Sequence, residues 1–260
     1  MDRRVYDISM SFTRDMPTFC FWKNWHHPPF FATFSDLDET SLGPGTGEGF
    51  VTLVSFLTHT GTHMDAPRHF RRDRWYLHEI PVDRFLGEGP VLDVPKGPNE
   101  EITARDLEAA GLEVRRGDIV AINTGWHRTY TTPGQDQEGA RFYFTQHPGL
   151  CRESAEWLVA RGVRTVLIDT PAVDSAPHTV FGDNGWETHA ALFEHNIPVV
   201  EHLGGELDAV AGRRCIISCA PVKYVNGDAF PLRALAWPLD WAVLPPTRSK
   251  HRPASLTRSP

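Results

Sequence analysis

Strand and helix patterns alternate through the second half of the chain, and this alternation constrains the fold more than any other feature. DIVAINT (118–124) has the β-branched, apolar make-up of a strand, and CRESAEWLVARG (151–162) that of a helix closed by Gly162. VRTVLID (163–169) predicts the next strand and WETHAALFEHN (186–196) the next helix. IPVVE (197–201), CIISCA (215–220) and FPLRALAW (230–237) follow as strands. Such alternation packs helices against a sheet, so the fold class is α/β. The first half is strand-dominated: VYDISM near the N-terminus, FVTLVSFL (50–57) as a buried strand, and GPVLDV (89–94). One helix interrupts it, TARDLEAAGL from Thr103, with Asp106 three positions after its candidate cap. Without internal repeats or a long linker, a single domain over 1–244 is the simplest organisation, followed by a flexible basic tail at 245–260.

Composition narrows the function. The 260 residues carry 26 Lys+Arg against 33 Asp+Glu, a net charge of −7 without a basic stripe, which disfavours nucleic acid as a partner. No apolar run is long enough to cross a bilayer, and the charged opening MDRRVYDISM disfavours a signal peptide. The four cysteines are too scattered for a disulfide scaffold. The expectation is a cytoplasmic enzyme acting on a small molecule, with no membrane or nucleic-acid partner.

Histidine is abundant, at 13 residues, and three of them fall in the stretch HTGTHMDAPRHF (59–70). This stretch directly follows the expected 50–57 strand, and Gly61 lets the backbone turn. His63 and Asp65 are two apart, so an extended backbone puts both on one face. Two imidazoles and a carboxylate converging at a strand end make a three-ligand metal set with positions left open for water or substrate. His69 lies close enough to return to the same metal or its water. His189 on the predicted helix and Glu201 at the end of IPVVE face one cavity only if that helix packs beside that strand. On spacing alone they are equally readable as a surface histidine and a solvated strand end.

Several segments together resemble the cyclase family that includes bacterial kynurenine formamidase and isatin hydrolase. They are HTGTHMDAPRHF, INTGW (122–126), the strand and Asp at 163–169, THAALFEHNIPVVEHL (188–203) and CAPVKYVNGDAFPLRALA (219–236). The resemblance implies a compact α/β domain with a barrel-like β core flanked by helices, commonly dimeric or larger, so a homodimer or homotetramer is expected. It implies that His59, His63 and Asp65 hold a first metal, that His189 and Glu201 hold a second with Asp65 bridging, and that His69 is the acid–base. Two zinc ions per subunit are the implied cofactor, with manganese, as in the isatin-hydrolase branch, the alternative. The implied reaction uses a metal-activated water to cleave an amide-type C–N bond, in an aryl N-formyl amide or a cyclic amide, imide or lactone. A metal-dependent lyase, dehydratase or cyclase is the alternative, and a non-catalytic metal-binding protein is a third possibility.

The chain departs from the short formamidases in two longer segments, 18–49 and 127–147, where substrate choice commonly resides. An aromatic run (Phe21, Trp22, Trp25, Phe30, Phe31), with Trp75 and Trp126 near motif segments, supplies candidate substrate contacts, chiefly Trp22, Trp25, Trp75 and Trp126. Two further signals are discounted. GPGTGEG (43–49) lacks the Lys and following helix of a phosphate loop, and Ser175 beside Asp174 and His178 lacks a nucleophile elbow. Ser175 is expected instead to shape the cavity wall.

Overall fold

A computed structural model describes residues 4–19, 28–35 and 51–239. Trp22, Trp25, Phe21, the GPGTGEG segment and the 245–260 tail lie outside the described residues.

Nine strands form one sheet. In chain order they are β1 (Tyr6–Asp7), β4 (His63–Asp65), β5 (Leu86–Asp93), β7 (Ile119–Asn123), β9 (Thr165–Ile168), β10 (Val199–Glu201), β11 (Arg213–Ser218), β12 (Ala229–Pro231) and β13 (Leu235–Pro238). Their spatial order is β1-β13-β11-β5-β7-β9-β10-β4-β12. The central strands β5, β7, β9 and β10 run parallel, and the remaining pairs are antiparallel. Two small sheets complete the β structure: β2 (Phe30–Ser35) with β3 (Val51–Ser55), and β6 (Glu101–Ile102) with β8 (Gly149–Leu150).

Chain connectivity explains the shape of the large sheet. β12 lies at one edge, and β13 lies seven strand spacings away, roughly 34 Å if the sheet were flat at ~4.8 Å per spacing. Only residues 232–234 join the two strands, a link that reaches at most about 14 Å. The sheet therefore curls into a half-barrel, as the expected barrel-like core requires. Backbone bonds stitch the gap: Leu232 N–H donates to Thr62 O at 2.9 Å, and Ile8 N–H to Ala234 O at 3.0 Å. The single strand expected over 230–237 is thus two strands at opposite margins of the sheet.

Alternation along each strand divides the core in two. Ile119, Ala121, Leu167 and Val200 fill the inside of the curl with Met64, Val91 and Ile217. Val120, Ile122, Val166, Ile168 and Val199 face outward and are covered by Leu107, Leu158, Leu192 and Phe193. Those last four lie on helices α1 (Ala104–Ala109), α3 (Arg152–Arg161) and α4 (Glu187–Glu194). The local signals act as expected: Thr103 and Asp106 form a reciprocal capping box, and Gly162 ends α3 in the left-handed conformation. Helix α2 (Gln137–Thr145) lies within the long 127–147 segment, where the apolar pattern predicts no element. Among the described residues, no helix is long and apolar enough to cross a membrane.

The strand expected to be buried at 50–57 is the clearest correction. Among the described residues β3 pairs only with β2 and leaves Val51, Leu53 and Val54 exposed, Leu53 at 58%. Its apolar composition marks an uncovered ribbon, because among the described residues no layer packs over it.

Candidate metal centre

The short strand β4 carries the heart of the site. His63 and Asp65 share one face of it, while Met64 points into the inner core. The antiparallel register sets Glu201 of β10 directly opposite His63. His63 Nε2 lies 3.1 Å from Asp65 Oδ1 and 3.7 Å from Glu201 Oε2. His59 reaches in from the preceding turn, its Nδ1 2.8 Å from Asp65 Oδ1. That turn needs glycine: Gly61 has φ +62°, and a Cβ there would stand 2.9 Å from Met16 Sδ. Helix α4 does pack beside β10, placing His189 Nε2 3.2 Å from Glu201 Oε1 and 3.6 Å from Asp65 Oδ2. The question that spacing leaves open for His189 and Glu201 is answered by that packing: both are buried in one cluster.

The cluster fits a divalent cation. Asp65 Oδ1 is buried without a hydrogen-bond partner, although two imidazole nitrogens lie close to it. His59 Nδ1 also lies 3.3 Å from His63 Nε2, and imidazole and carboxylate donor atoms crowded this closely around an unpartnered carboxylate oxygen are arranged for a cation between them. Two overlapping groups have this character, His59–Asp65–His69 and His63–Asp65–Glu201, and Asp65 belongs to both. The outer contacts fix the imidazoles for ligation. His63 Nδ1–H donates to Gly61 O at 2.8 Å and His189 Nδ1–H to Asp174 Oδ2 at 2.5 Å, so each ring turns its Nε2 lone pair inward. Among these side chains alone, the carboxylates draw protons onto the rings. Burial opposes protonation of His59, but Asp65 and Asp228 outweigh it and raise its pKa to about 10. Likewise burial opposes protonation of His189, and Asp174, Asp65 and Glu201 outweigh it. A cation supplies the same compensating charge and displaces those protons.

Three residues of the site escape a reading of the sequence. Asp228, just before β12, accepts from His59 Nε2 at 3.0 Å and lies 3.6 Å from His69 Nδ1. The two imidazoles beside it hold its carboxyl well below the usual range. Asp174 accepts the Thr188 and His189 backbone N–H groups as well as the His189 ring, so it caps α4 while orienting a ligand. His202, buried beside Glu201, is kept far below the ordinary imidazole range by burial and by the neighbouring His63 and His147. In the sequence Asp174 attracts notice only as part of a serine triad. That triad does not exist: His178 pairs with Glu101 and Asp183, and Ser175 is wholly buried away from the cavity wall it was expected to shape.

The cluster lies at the base of a cavity of about 400 Å³ whose apolar wall includes Phe19, Leu57, Phe70, Val180 and Trp186. Trp75 and Trp126 do not reach it. Trp75 packs against the inner core beneath Arg84, and Trp126 is buried with its indole N–H donated to Tyr143 O at 2.9 Å. Both rings are spent on packing, and the aromatic wall comes from Phe19, Phe70 and Trp186 instead. His69 lies against His59 at the rim of the cluster, with ring centroids 4.1 Å apart and planes tilted by 40°.

Comparison with known proteins agrees with this geometry. A family model described as "Putative cyclase" matches residues 6–175. A kynurenine formamidase of Bacillus cytotoxicus is 29% identical over 234 residues, covering 90% of this chain and 97% of that enzyme. A kynurenine formamidase of Bacillus cereus is 30% identical over 195 residues, covering 75% of this chain and 83% of its own. An isatin hydrolase crystallised with the product analogue thioisatinate superposes with a TM-score of 0.76 at 21% identity, over 90% of this chain and 92% of that one, a likeness of fold. A "predicted metal-dependent hydrolase from Bacillus stearothermophilus" superposes at 0.66 with 25% identity, over 90% and 97%. The chain belongs to the cyclase family of metal-dependent hydrolases.

Proposed function

We propose that the protein hydrolyses an amide-type C–N bond of a small aromatic metabolite, an aryl N-formyl amide or a cyclic amide or imide, or the corresponding acyl C–O bond of a lactone. The observation that carries this reading is the cluster of imidazoles and carboxylates around Asp65 at the base of an aromatic-walled cavity of about 400 Å³. That volume suits a small planar molecule. The kynurenine formamidase relatives favour hydrolysis over the lyase or cyclase alternative.

A bound divalent ion would polarise the scissile carbonyl and make water a nucleophile near neutral pH. We propose two zinc ions per subunit, with manganese as the alternative, held by His59, His63, Asp65, His189 and Glu201. The rest falls to the chain's own groups. His69, on the rim and facing Asp228, moves a proton to the leaving nitrogen. Asp228 orients both His59 and His69, and Asp174 locks the His189 tautomer. Phe70 and Trp186, with centroids 5.5 Å apart, cover the reacting end and exclude water.

The deciding experiment joins turnover to metal content. N-formyl arylamines and cyclic aryl amides are offered to protein purified without added metal, and metals are counted in wild type and Glu201→Ala. Two ions falling to one, with turnover of an aryl amide, supports the reading; a fully loaded enzyme inert toward the whole panel refutes it. His69→Ala should lower turnover while leaving metal content intact.

The proposal extends to a cytoplasmic homodimer or homotetramer. Thiols outside any disulfide at Cys151 and Cys219 suit a reducing compartment, and the exposed apolar residues of β2 and β3 suit a subunit interface.

A further inference from the structure

His202 is held on three sides and free on the fourth. Its backbone sits in the left-handed region at φ +57°, where histidine is tolerated better than most side chains. Its N–H donates to Thr170 O at 3.0 Å, and its carbonyl accepts from Thr62 Oγ1. On the side chain, Nδ1 lies 3.1 Å from the hydroxyl of Tyr143, a fully buried residue anchored by the Trp126 indole. The Tyr143 hydroxyl has one proton to give. Its other acceptor, the Asp169 carbonyl, stands farther off at 3.5 Å, so the proton goes to His202 Nδ1. That choice puts the ring hydrogen on Nε2. Among the described residues Nε2 has no partner, and the ring lines the metal-centre cavity, its centroid 5.9 Å from that of His63.

From this we infer that His202 is a catalytic hydrogen-bond donor: its Nε2–H meets the acyl oxygen of the bound amide beside Glu201 and His63. The inference rests on the amide-hydrolase reading for the identity of the acceptor, but not for the tautomer. A preorganised donor aimed at an oxygen that gains negative charge strengthens its bond in the transition state, so it acts on kcat more than on KM. Tyr143 is the positioning residue behind it. Its hydroxyl sets which nitrogen carries the hydrogen, and its ring blocks His202 from turning away.

The test uses the full-length, metal-loaded enzyme. His202→Asn suits the left-handed backbone but withdraws the donor, and His202→Gln restores an N–H of longer reach. With formanilide as substrate, His202→Asn should lower kcat about 100-fold with KM and metal content near wild type, the scale of losing one oxyanion donor. His202→Gln should recover part of the loss, and Tyr143→Phe should lower kcat about 10-fold, as supporting contacts do. A kcat for His202→Asn within twofold of wild type, or a loss matched by lost metal, overturns the inference. Imidazole ¹⁵N–¹H correlation spectra give a readout that needs no turnover. They should show the Nε2–H tautomer of His202, converted in Tyr143→Phe, with Nε2 shifting on addition of benzamide. An Nδ1–H tautomer, or no shift when benzamide is bound, overturns it as well. Absence of any amide turnover in the wild type would instead sink the hydrolase reading, leaving the spectra to judge His202.

Discussion

Strands β3 and β7 are close in composition and opposite in fate. VTLVS of β3 and IVAIN of β7 are both short, apolar and β-branched. Every residue of β7 is buried, because it pairs on both sides and is covered on both faces. Among the described residues β3 pairs on one side only and leaves most of its residues exposed. β-branched apolar residues favour an extended backbone wherever they occur, but the neighbours that cover them are supplied by distant parts of the chain. The same contrast separates the metal centre from the ribbon: the centre is built where β4, β10 and α4 converge, and no described element converges on the ribbon.

If the centre depends on that convergence, its variants should fail chemically before they fail structurally. The largest expected effect is that of Asp65→Ala, which removes the carboxylate common to both ligand groups. Metal content should fall and kcat/KM drop by roughly 1,000-fold or more, on the scale of losing a principal electrostatic element. Retained metal and activity in this variant would mean that the shared carboxylate is incidental. Asp174→Asn keeps an acceptor for the α4 backbone but weakens the hold on His189. Metal affinity, read by chelator competition, should fall about 10- to 100-fold.

Stability measurements sharpen the strand comparison directly. In urea denaturation Ile122→Ala in β7 should lose about 2–5 kcal/mol, whereas Leu53→Ala in β3 should stay within about 0.5 kcal/mol. Equal losses would show that the ribbon is covered after all, for instance across a subunit interface. Leu53→Asp then decides, since light scattering should report a smaller assembly if β3 lies in that interface.

A pH effect follows from His147, which is fully buried. Burial lowers its pKa from 6.5 to about 4, against a weaker pull from the Pro148 carbonyl and Asp174. Between these values the unfolded chain binds the proton and the folded protein does not. Stability conferred by the neutral ring is therefore complete above pH 6.5 and lost as pH falls toward 4, at up to about 1.4 kcal/mol per pH unit. His147→Phe should flatten that part of the stability–pH curve, and an unchanged slope would assign it to other groups.

Much of the chemistry is legible in the amino-acid sequence. The spacing of His59, His63, Asp65 and His69 marks a ligand-rich strand end, and the family resemblance extends it to His189 and Glu201; the cavity contains all six. The supporting residues are not legible in the same way. Asp228 lies 169 positions from the His59 ring it contacts, and Tyr143 lies 59 from His202. An isolated Asp or Tyr has no local pattern that sets it apart from a surface or core residue. The tryptophans mislead for a related reason, since Trp75 and Trp126 lie near motif segments in sequence while their rings turn into the core.

Taken alone, the sequence determined what local physics controls: strand and helix periodicity, the Thr103 cap, the Gly162 stop, and the His/Asp spacing that places two ligands on one face of β4. Only the tertiary structure decided the β10–β4 register that brings Glu201 opposite His63, the curl forced by the short link from β12 to β13, and the outer carboxylates that orient each imidazole. The division follows the range of the forces involved. Backbone preferences act within a few residues, whereas a cluster of buried charges exists only where distant segments meet and compensate one another's desolvation.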